Sequence, residues 1–347
     1  MTEGMKDLNM DPAAETLEKT AQNVLKYYDA APEGITLIQG DSIKTVWKVR
    51  TAAGALCLKR LKQTVDKARF SVNAQIYIRN SGGKVPGVMP GRDGSPIAEH
   101  NGQLFVLYEW LDGRDLNFEN RDDLKTAIQG LAAFHKASRG YVPEAGCRVS
   151  TKLGKWPEQY RSMLNRMSSW KSEAESRASR PDYSAYLKYA DLMLEIGGLA
   201  LEALGTSRYG VLTAEGSPFV VLCHQDFGKG NVLACSDGVF VLDLDGVTFD
   251  LPARDLRKLI GKNAEAANRW DESAMGGILE WYEAVFPLDS EVRQALYADL
   301  LFPHWFFGLV KNLFQAGKQL KPSGVERIAR LEESKVELLR RLLNRSE

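Results

Sequence analysis

The stretch VLCHQDFGKGNVL, from Val221 to Leu233, contains residue types that can carry out chemistry. His224 stands two residues before Asp226, and Asn231 follows five residues after that aspartate. A carboxylate in a loop can accept the proton of an attacking hydroxyl or orient that hydroxyl. An ordinary polar turn between two strands is the alternative. Because chance produces this spacing in about one such chain in a hundred, the loop alone supports only a hypothesis.

A β-hairpin is predicted directly after this loop. The stretch NVLACSDGVFVLDLD has SDG at its centre, which indicates a three-residue loop with glycine where a left-handed conformation is favoured. Pairing outward from Asp237 sets Cys235 against Val239 and Asn231 against Asp243. The Cβ atoms of the latter pair would then lie about 5 Å apart.

This pairing would create a site for a divalent cation. An amide oxygen from Asn231 and a carboxylate from Asp243 suit Mg²⁺, which keeps several waters and takes further ligands from phosphates. Asp245 lies two residues beyond Asp243 on the same predicted strand face, where it could support the metal ligands. Asp-rich hairpin ends are also often ordinary solvated turns, so the metal site is one of two interpretations.

A candidate phosphate-binding lysine lies upstream, in ALCLKRL. Strand alternation places Ala55, Cys57 and Lys59 on one face, where small groups are followed by a cation. This order suits a flat base under the strand with phosphates beyond it. A surface lysine at a strand end is the usual alternative. The combination of loop, hairpin and lysine favours the functional interpretation.

The elements that must position these residues predict an α+β fold with two lobes. Strands ITLIQG, KTVWKVRT, ALCLKRL and LFVLYEWL are expected to be antiparallel, with helices at 13–28 and 67–80. Further helices are predicted at 121–138, 156–178, 183–203, 268–285, 290–318 and 325–343, interrupted by a strand-like region at 219–249. We therefore expect a helical extension at 1–33, a small β-rich N-terminal lobe at 34–111 and a larger, mainly helical C-terminal lobe at 112–347.

Composition argues against several classes of protein. Lys and Arg total 45 residues, as do Asp and Glu, so no excess of basic charge indicates binding to nucleic acid or acidic membranes. The four cysteines lack CxxC spacing, which argues against a zinc site or disulfide framework and favours synthesis in the reducing cytoplasm. No segment predicts a signal peptide or a membrane span.

Several motifs resemble the protein-kinase-like fold in its small-molecule branch, the aminoglycoside phosphotransferase and choline kinase type. The resemblance runs over nearly the whole chain, from about Ile35 to the last helices. Within that branch, CHQDFGKGN, VLDLDGVTFDLPARDLRK, VWKV, LCLKR, FSVNAQ and TKLGKWP are most similar to the spore coat protein I and S family. The resemblance implies ATP and Mg²⁺ as cofactors.

The resemblance also implies a role for each candidate residue. Asp226 would be the catalytic aspartate, and Lys59 would contact the α- and β-phosphates of ATP. Asn231 and Asp243 would bind Mg²⁺, with Asp245 as a less certain support. The remaining implied positions are Val46 and Cys57 above the adenine, Ser42 in the phosphate loop, Glu109 and Leu111 in the adenine-binding hinge, and His224 and Asp255 as structural supports.

Two departures from the family pattern bear on catalysis. The phosphate loop QGDSIKTV has one glycine, Gly40, where protein kinases have three, so phosphate binding would depend on Ser42 and the loop backbone. Residues 67–81 contain no acid, so the glutamate that usually pairs with the lysine is missing from its expected helix. The nearest polar candidates, Asn73 and Gln75, could orient the lysine without the Coulombic attraction of an ion pair.

The chain also lacks room for regulation of the protein-kinase type. Only twelve residues separate Asp243 from Asp255, and Gln225 replaces the arginine that would contact a phosphate on an activation segment. A small-molecule or specialised acceptor is therefore expected. The segment STKLGKWPEQYR, with Lys152 and Trp156, could form part of an acceptor pocket or simply a capped helix start.

The sequence thus predicts an ATP- and Mg²⁺-dependent phosphotransferase that acts on an acceptor hydroxyl. Its expected partners are a nucleotide, a small-molecule or protein acceptor and other spore coat proteins. Synthesis in the cytoplasm and deposition in the spore coat follow from the resemblance. Two alternatives remain open: a nucleotide-binding pseudokinase, and a structural spore coat assembly protein without catalytic activity.

Overall fold

The computed structural model describes residues 16–40 and 45–345. Its contacts divide the chain into two compact units. We call residues up to 76, 86–112 and 144–148 the sheet unit, and residues 77–85, 113–143 and 149 onward the helical unit. Each unit supplies residues that the sequence predicts to be functional, and each is described by itself.

The sheet unit is built on an antiparallel sheet. Its elements are α1 (Leu17–Leu25), β1 (Gly34–Gly40), β2 (Thr45–Thr51), β3 (Gly54–Leu61), α2 (Val65–Asn80, whose last turn enters the helical unit), β4 (Val88–Met89), β5 (Ala98–His100) and β6 (Gln103–Glu109). The strand order is β1-β2-β3-β6-β4, and β5 also pairs with β6. The predicted helix at 67–80 thus begins two residues earlier, at Val65, and includes Asp66 in its first turn.

The two faces of this sheet carry different side chains. One face buries Trp47, Leu58 and Phe105 together with Val24 and Tyr28 of the α1 region. The cluster on this face is aromatic and apolar, which is why the amphipathic α1 packs on it. The opposite face carries the residues predicted to contact the nucleotide.

The opposite face is partly covered by α2. Ala68 and Val72 of this helix are buried with Leu61 and Val106 of the sheet, and Cys57 packs against the same cluster. Residues directly opposite in an antiparallel sheet share a face, so the pairings Val46↔Lys59 and Lys59↔Val106 place Lys59 on the α2 side.

The helical unit begins with a short strand and three long helices. These are β7 (Arg114–Asp115), α3 (Arg121–Ser138), α4 (Trp156–Glu175) and α5 (Pro181–Thr206), followed by the single turn α6 (Tyr209–Leu212). Asn120 caps α3, because its side-chain oxygen accepts from the amides of Asp122 and Asp123. The predicted bounds of α3 are confirmed, and α4 and α5 differ from prediction by three residues or fewer at each end.

Short strands then interrupt the helices, as the sequence predicts. These are β8 (Val221–Cys223), β9 (Val232–Cys235), β10 (Gly238–Val241) and, after a 3₁₀ turn at Leu244–Gly246, β11 (Thr248–Asp250). They form two small antiparallel sheets, β10-β9-β7 and β11-β8. The first loop of interest joins β8 to β9, and the 3₁₀ turn follows β10.

The last helices are more divided than predicted. They are α7 (Ala253–Ala267), α8 (Glu272–Glu283), α9 (Ser290–Leu301), α10 (His304–Ala316), α11 (Pro322–Ser334) and α12 (Val336–Leu343). The predicted helix at 290–318 breaks at Pro303, which cannot continue a helix, and Asn268 ends α7 in a left-handed conformation. In the described part of the chain, no helix has the length and apolar character needed to cross a membrane.

Candidate active site

The HQD segment of the β8–β9 loop is held by one buried carboxylate. Oδ2 of Asp255 accepts from the His224 amide at 2.6 Å, and its Oδ1 accepts from the Gln225 amide at 2.9 Å. Asp255 lies in the first turn of α7 and is only 1% exposed. Charge-assisted bonds of this kind are stronger than neutral ones, so the backbone just before Asp226 is fixed to α7.

A second buried layer orients Asp255 itself. His135 of α3 contacts Oδ2 of Asp255 through Nε2 at 3.2 Å, and its Nδ1 lies 2.8 Å from the hydroxyl of Tyr282. Burial alone would raise the pKa of Asp255, but the bond and charge of His135 and the nearby His224 hold that pKa below its usual value. His135 is therefore a buried residue that supports Asp255.

His224 braces the loop from the other side. Its Nε2 donates to the carbonyl of Leu242 at 2.7 Å, and its Nδ1 accepts from the amide of Asp226 at 3.2 Å. The two ring nitrogens thus contact the backbone at two different points. His224 is 1% exposed. Through its two ring nitrogens it connects the end of β10 to the Asp226 backbone.

Asp226 is exposed while its neighbours are buried. Phe227 after it and His224 before it are both in the core, which directs the Asp226 side chain outward. Asn231 contacts it across the loop, because its Nδ2 lies 2.9 Å from the Asp226 carbonyl and 3.4 Å from the Asp226 Oδ2. The structure therefore brings these two predicted site residues together.

The predicted hairpin register is wrong by one residue. The pairs are Gly238↔Cys235 through Val241↔Val232, so the loop has two residues rather than three. The next contact is a 2.9 Å hydrogen bond from the Leu242 amide to the Asn231 carbonyl, which places Leu242 beside Asn231. Asp243 is one residue further along and is not the cross-strand partner of Asn231.

Asp243 leaves the strand instead of continuing it. Its φ of 59° and ψ of 62° are left-handed, and the 3₁₀ turn Leu244–Gly246 follows at once. The prediction that Asp245 shares a strand face with Asp243 is therefore wrong, since Asp245 lies within that turn. Gln225 also has a positive φ, 69°. Gln225 and Asp243 are thus two non-glycine residues with left-handed backbones in the predicted site. Backbone strain of this kind is often found at functional sites.

The donor set at Asn231 and Asp243 fits a hard cation. Because the Asn231 amide nitrogen is directed at Asp226, its Oδ1 points elsewhere and can serve as a ligand. An amide oxygen and a carboxylate are oxygen donors that Mg²⁺ accepts. The fit thus rests on these two residues, while the position of Asp245 in the turn weakens its case as a further ligand.

A different cluster has metal-ligating residue types. Within residues 16–40 and 45–345, His135, Cys223 and Asp255 are the one group of three or more His, Cys, Asp or Glu ligand atoms lying within 4.8 Å of one another. Both nitrogens of His135 and both oxygens of Asp255 are engaged, and the Cys223 thiol donates to the Leu251 carbonyl at 3.1 Å. We assign this cluster to support of the loop.

The sheet unit places three predicted nucleotide residues on one face. Val46, Cys57 and Lys59 all lie on the α2 side of the sheet, and Lys59 is 9% exposed. Burial raises the pKa of the Cys57 thiol to about 11, with the positive charge of Lys59 acting in the opposite direction. The thiol therefore stays protonated and behaves as a small apolar group beside the lysine.

The polar candidates on α2 are arranged differently from the prediction. Gln75 is buried, and its Nε2 donates a hydrogen bond to the backbone carbonyl of Pro86 at 2.7 Å. Asn73 is half-buried. The acid that α2 does contain, Asp66, lies in its first turn, and its pKa is lowered chiefly by a hydrogen bond from Thr64 and also by Arg148.

The predicted hinge is tied to the β4 region. The Glu109 amide donates to the Gly87 carbonyl at 2.8 Å, and the Glu109 Oε2 accepts from the Gly87 amide at 3.1 Å. The Glu109 amide is thus already engaged, whereas within the described chain the Leu111 amide has no hydrogen-bond partner. The structure favours Leu111 over the Glu109 amide as the donor to a base. The predicted phosphate-loop residue Ser42 lies outside the described residues.

One residue that bears on the site, Lys258, was not among those predicted from the sequence. Lys258 of α7 donates from Nζ to the Gln225 carbonyl, directly before Asp226. Its position three residues after Asp255 on the same helix was the available signal. Trp156, by contrast, is 2% exposed and donates to Asp250 at 3.0 Å, so it belongs to the core rather than to an acceptor pocket.

Comparison with known proteins bears on this arrangement. A family model described as the phosphotransferase enzyme family, APH, matches residues 34–296, which include Lys59, Asp226, Asn231 and Asp243. The chain belongs to this phosphotransferase family.

Curated relatives of this family member come from spore-forming bacteria. Spore coat protein S of Bacillus subtilis (strain 168) is 29% identical over 292 residues, which cover 83% of this chain and 82% of that protein. Endospore coat-associated protein YutH of the same strain is 23% identical over 232 residues, covering 66% of this chain and 65% of that protein. The predicted resemblance to the spore coat proteins is confirmed.

Solved structures show the same fold. An aminoglycoside phosphotransferase from Alicyclobacillus acidocaldarius superposes with a TM-score of 0.73 at 19% identity, covering 93% of this chain and 96% of that one. Amicoumacin kinase, solved with AMP-PNP, Ca²⁺ and its ligand Ami, gives a TM-score of 0.60 at 14% identity, with coverage of 92% and 94%. The predicted α+β kinase-like fold is therefore confirmed.

Proposed function

We propose that this chain transfers the γ-phosphoryl group of ATP to a hydroxyl group of a small-molecule or specialised acceptor, in association with the spore coat. One observation carries the proposal. Asp226 is an exposed carboxylate whose backbone is fixed on both sides by buried residues, Asp255 and His224. A group that must meet a substrate hydroxyl at one geometry needs this kind of support.

In the proposed step, Asp226 accepts a hydrogen bond from the acceptor hydroxyl. The hydroxyl oxygen forms a bond to the γ-phosphorus as the bond from that phosphorus to the β–γ bridging oxygen breaks. The hydroxyl proton passes to the Asp226 carboxylate, and ADP leaves with the bridging oxygen. The Asn231 amide, which donates to Asp226, holds the carboxylate in place during this exchange.

Asn231 and Asp243 are the residues that would hold a magnesium ion. When bound, such an ion neutralises charge on the phosphates of the nucleotide. Asp243 has a left-handed backbone. Its carboxylate therefore does not point in the direction that it would have if strand β10 continued through this residue. Asp245 remains a candidate only as a support for these ligands.

The sheet unit would bind the rest of the nucleotide. Lys59 would contact the α- and β-phosphates, while Val46 and Cys57, on the same face, would pack against the adenine. Leu111 offers a free backbone amide for the base. Neighbouring structures of this fold, solved with AMP-PNP or with ADP and spectinomycin, support a nucleotide as the ligand.

A turnover assay tests the proposal. Purified protein would be incubated with ATP, with and without Mg²⁺, and ADP release would be followed in the presence of a panel of hydroxyl compounds. We expect Mg²⁺-dependent ADP release that falls by about 10²- to 10⁴-fold in Asp226→Asn. Asp237→Asn, at the exposed tip of the β9–β10 hairpin, is the matched control and should retain activity. Equal rates in wild type and Asp226→Asn would refute the proposed step.

The second candidate is a nucleotide-binding protein without catalysis that helps to assemble the spore coat. Its supporting observation is that the acid of α2, Asp66, lies in the first turn of that helix, where the hydroxyl of Thr64 contacts it. The similarity to spore coat protein S supports the location equally in both cases. Normal deposition of the Asp226→Asn protein in spores with normal properties would favour this candidate.

A further inference from the structure

A cavity of about 780 Å³ lies in the helical unit beside α7, α10 and α11. Its volume falls in the range of small-molecule sites. It is lined by both cationic and aromatic side chains, and those that matter here are Arg257, Lys258, Lys311, Arg327, Trp305 and Phe307.

Lys258 links this cavity to the proposed catalytic loop. Its ammonium group donates to the carbonyl of Gln225, the residue directly before Asp226. Burial lowers the pKa of Lys258, and the negative charges of Asp255 and Asp226 partly oppose that effect. Lys258 thus lies both in the cavity lining and against the residue that directly precedes Asp226.

The side chains around the cavity carry more positive than negative charge. Arg257 is paired with buried Asp299 at 3.1 Å, and Arg327 is paired with Glu265 at 3.4 Å. In the described part of the chain, Lys258 and Lys311 have no carboxylate within 4.0 Å. Two cations are therefore left for a ligand, and an amine-bearing ligand would be repelled.

His304 adds no charge to the cavity at neutral pH. Burial lowers its pKa to about 4, assisted by the adjacent Arg257 and opposed by Asp299. The ring is then uncharged near pH 7, and the cavity keeps its excess of positive charge.

An aromatic wall completes the cavity. The Trp305 ring lies directly against Gly261 of α7, where an added Cβ would come within 1.8 Å of a ring carbon. Any larger residue at Gly261 would displace the ring, so the glycine sets the position of this wall. A flat aromatic surface beside cations suits a ring-shaped molecule with an apolar face and a negative group.

We propose that this cavity binds the phosphoryl acceptor, and that the acceptor is a hydroxyl compound bearing a carboxylate or phosphate, such as a sugar acid or sugar phosphate. The inference rests on the proposed phosphotransferase function. Lys258 and Lys311 bind the negative group, Trp305 packs against the ring, and a hydroxyl is presented to Asp226, which takes its proton as described above.

Matched hexoses test the charge preference directly. Glucose 6-phosphate, glucuronate, glucose and glucosamine would each be titrated calorimetrically into nucleotide-free wild-type protein. We expect the two anions to bind at least tenfold more tightly than glucose, with glucosamine weakest. Equal affinities, preference for glucosamine, or no detectable anion binding would overturn the inference.

Charge reversal places the binding at this cavity. Lys311→Glu should weaken glucose 6-phosphate and glucuronate binding at least tenfold. Lys318→Glu, an exposed lysine just beyond the end of α10 and outside the cavity lining, should leave it unchanged. Equal affinities in the two variants would show that the anions bind elsewhere and would overturn the inference.

The same titrations separate this inference from the proposed function. They need no nucleotide, so anion binding that depends on Lys311 would stand even if the protein releases no ADP from ATP. If instead ADP release depends on Asp226 but responds to glucosamine and not to the anions, the phosphotransferase proposal survives and the anionic acceptor is wrong.

Discussion

The two units prepare their parts of the proposed site in different ways. In the helical unit, the β8–β9 loop is fixed by a buried network of Asp255, His135 and His224, with distances of 2.6–3.2 Å. In the sheet unit, Lys59 and Cys57 stand on a face packed mainly against apolar residues of α2, and the polar Gln75 serves the Pro86 backbone.

The proposed function accounts for this difference. A proton acceptor has to meet one hydroxyl at one geometry, and an error of about 1 Å is costly, so its loop is held by charge-assisted hydrogen bonds. A base needs mainly a flat apolar surface, which strand side chains provide. We therefore expect substitutions in the helical unit to have the larger effects.

Asp226→Asn should have the largest effect on activity. Loss of the proton acceptor should lower the turnover number by about 10²- to 10⁴-fold, while affinity for ATP changes little because Asp226 is not placed against the nucleotide. Lys59→Met should show the opposite pattern, because its main effect should be weaker ATP binding. Titration of AMP-PNP into both variants checks this, and similar affinity losses would contradict the division of roles.

Asp255→Asn should have the largest effect on stability. The asparagine NH2 would replace one of the two acceptor oxygens and face the His224 or the Gln225 amide, so a buried donor would be left unsatisfied, at a cost of about 3 kcal/mol. Urea unfolding measures the loss, with exposed Glu280→Gln on α8 as a matched control. If Asp255→Asn were as stable as that control, the loop would not depend on this carboxylate.

His304 should make the helical unit sensitive to acid. Its pKa of about 4 lies below the usual value of 6.5, so the unfolded chain binds a proton that the folded chain does not between these values. The resulting stabilisation is present above pH 6.5 and is lost as the pH falls toward 4, which amounts to about 2 kcal/mol between pH 7 and 5.

Urea unfolding at pH 7 and 5 tests this pH effect. His304→Gln should reduce the difference in stability between the two pH values, whereas His100→Gln in the sheet unit should retain it. If both variants lost stability with acid as the wild type does, titration of His304 would not be the cause.

Gln75→Glu should have the smallest effect and tests the weaker half of the comparison. The carboxylate cannot donate to the Pro86 carbonyl, so stability should fall by about 1–2 kcal/mol. We expect turnover to change by less than about tenfold. A larger gain in turnover without loss of stability would instead show that this residue stands where the acidic partner of Lys59 belongs.

The sequence predicted the fold and the family better than the local geometry of the site. The residue types around Asp226 and the resemblance led to the kinase-like fold, because a loop, a hairpin and a lysine at those separations are a specific pattern. The hairpin register was missed because SDG fits both two- and three-residue loops, and a one-residue shift changes every pairing.

Other features could not be read from the pattern because they depend on tertiary contacts. The left-handed conformation of Asp243 is stable only where surrounding structure fixes it, and most aspartates in a strand-like run would continue the strand. The position of Lys258 three residues after Asp255 was a weak signal, because α7 carries several cations, and its contact with the Gln225 carbonyl arises from the packing of that helix. Asp243 and Lys258 both lie at the proposed site.

The proposal that Asp243 and Asn231 bind a metal together with a nucleotide is tested most directly by thermal unfolding with ATP. Melting temperatures would be measured for wild type and Asp243→Ala with ATP, in the presence and absence of Mg²⁺. At about a hundredfold excess over Kd, binding stabilises by about 2.7 kcal/mol, so wild type should melt at a higher temperature with ATP and Mg²⁺. Asp243→Ala should lose the Mg²⁺-dependent part of that increase. No nucleotide-dependent change in wild type, or the same Mg²⁺-dependent change in Asp243→Ala, would contradict the account.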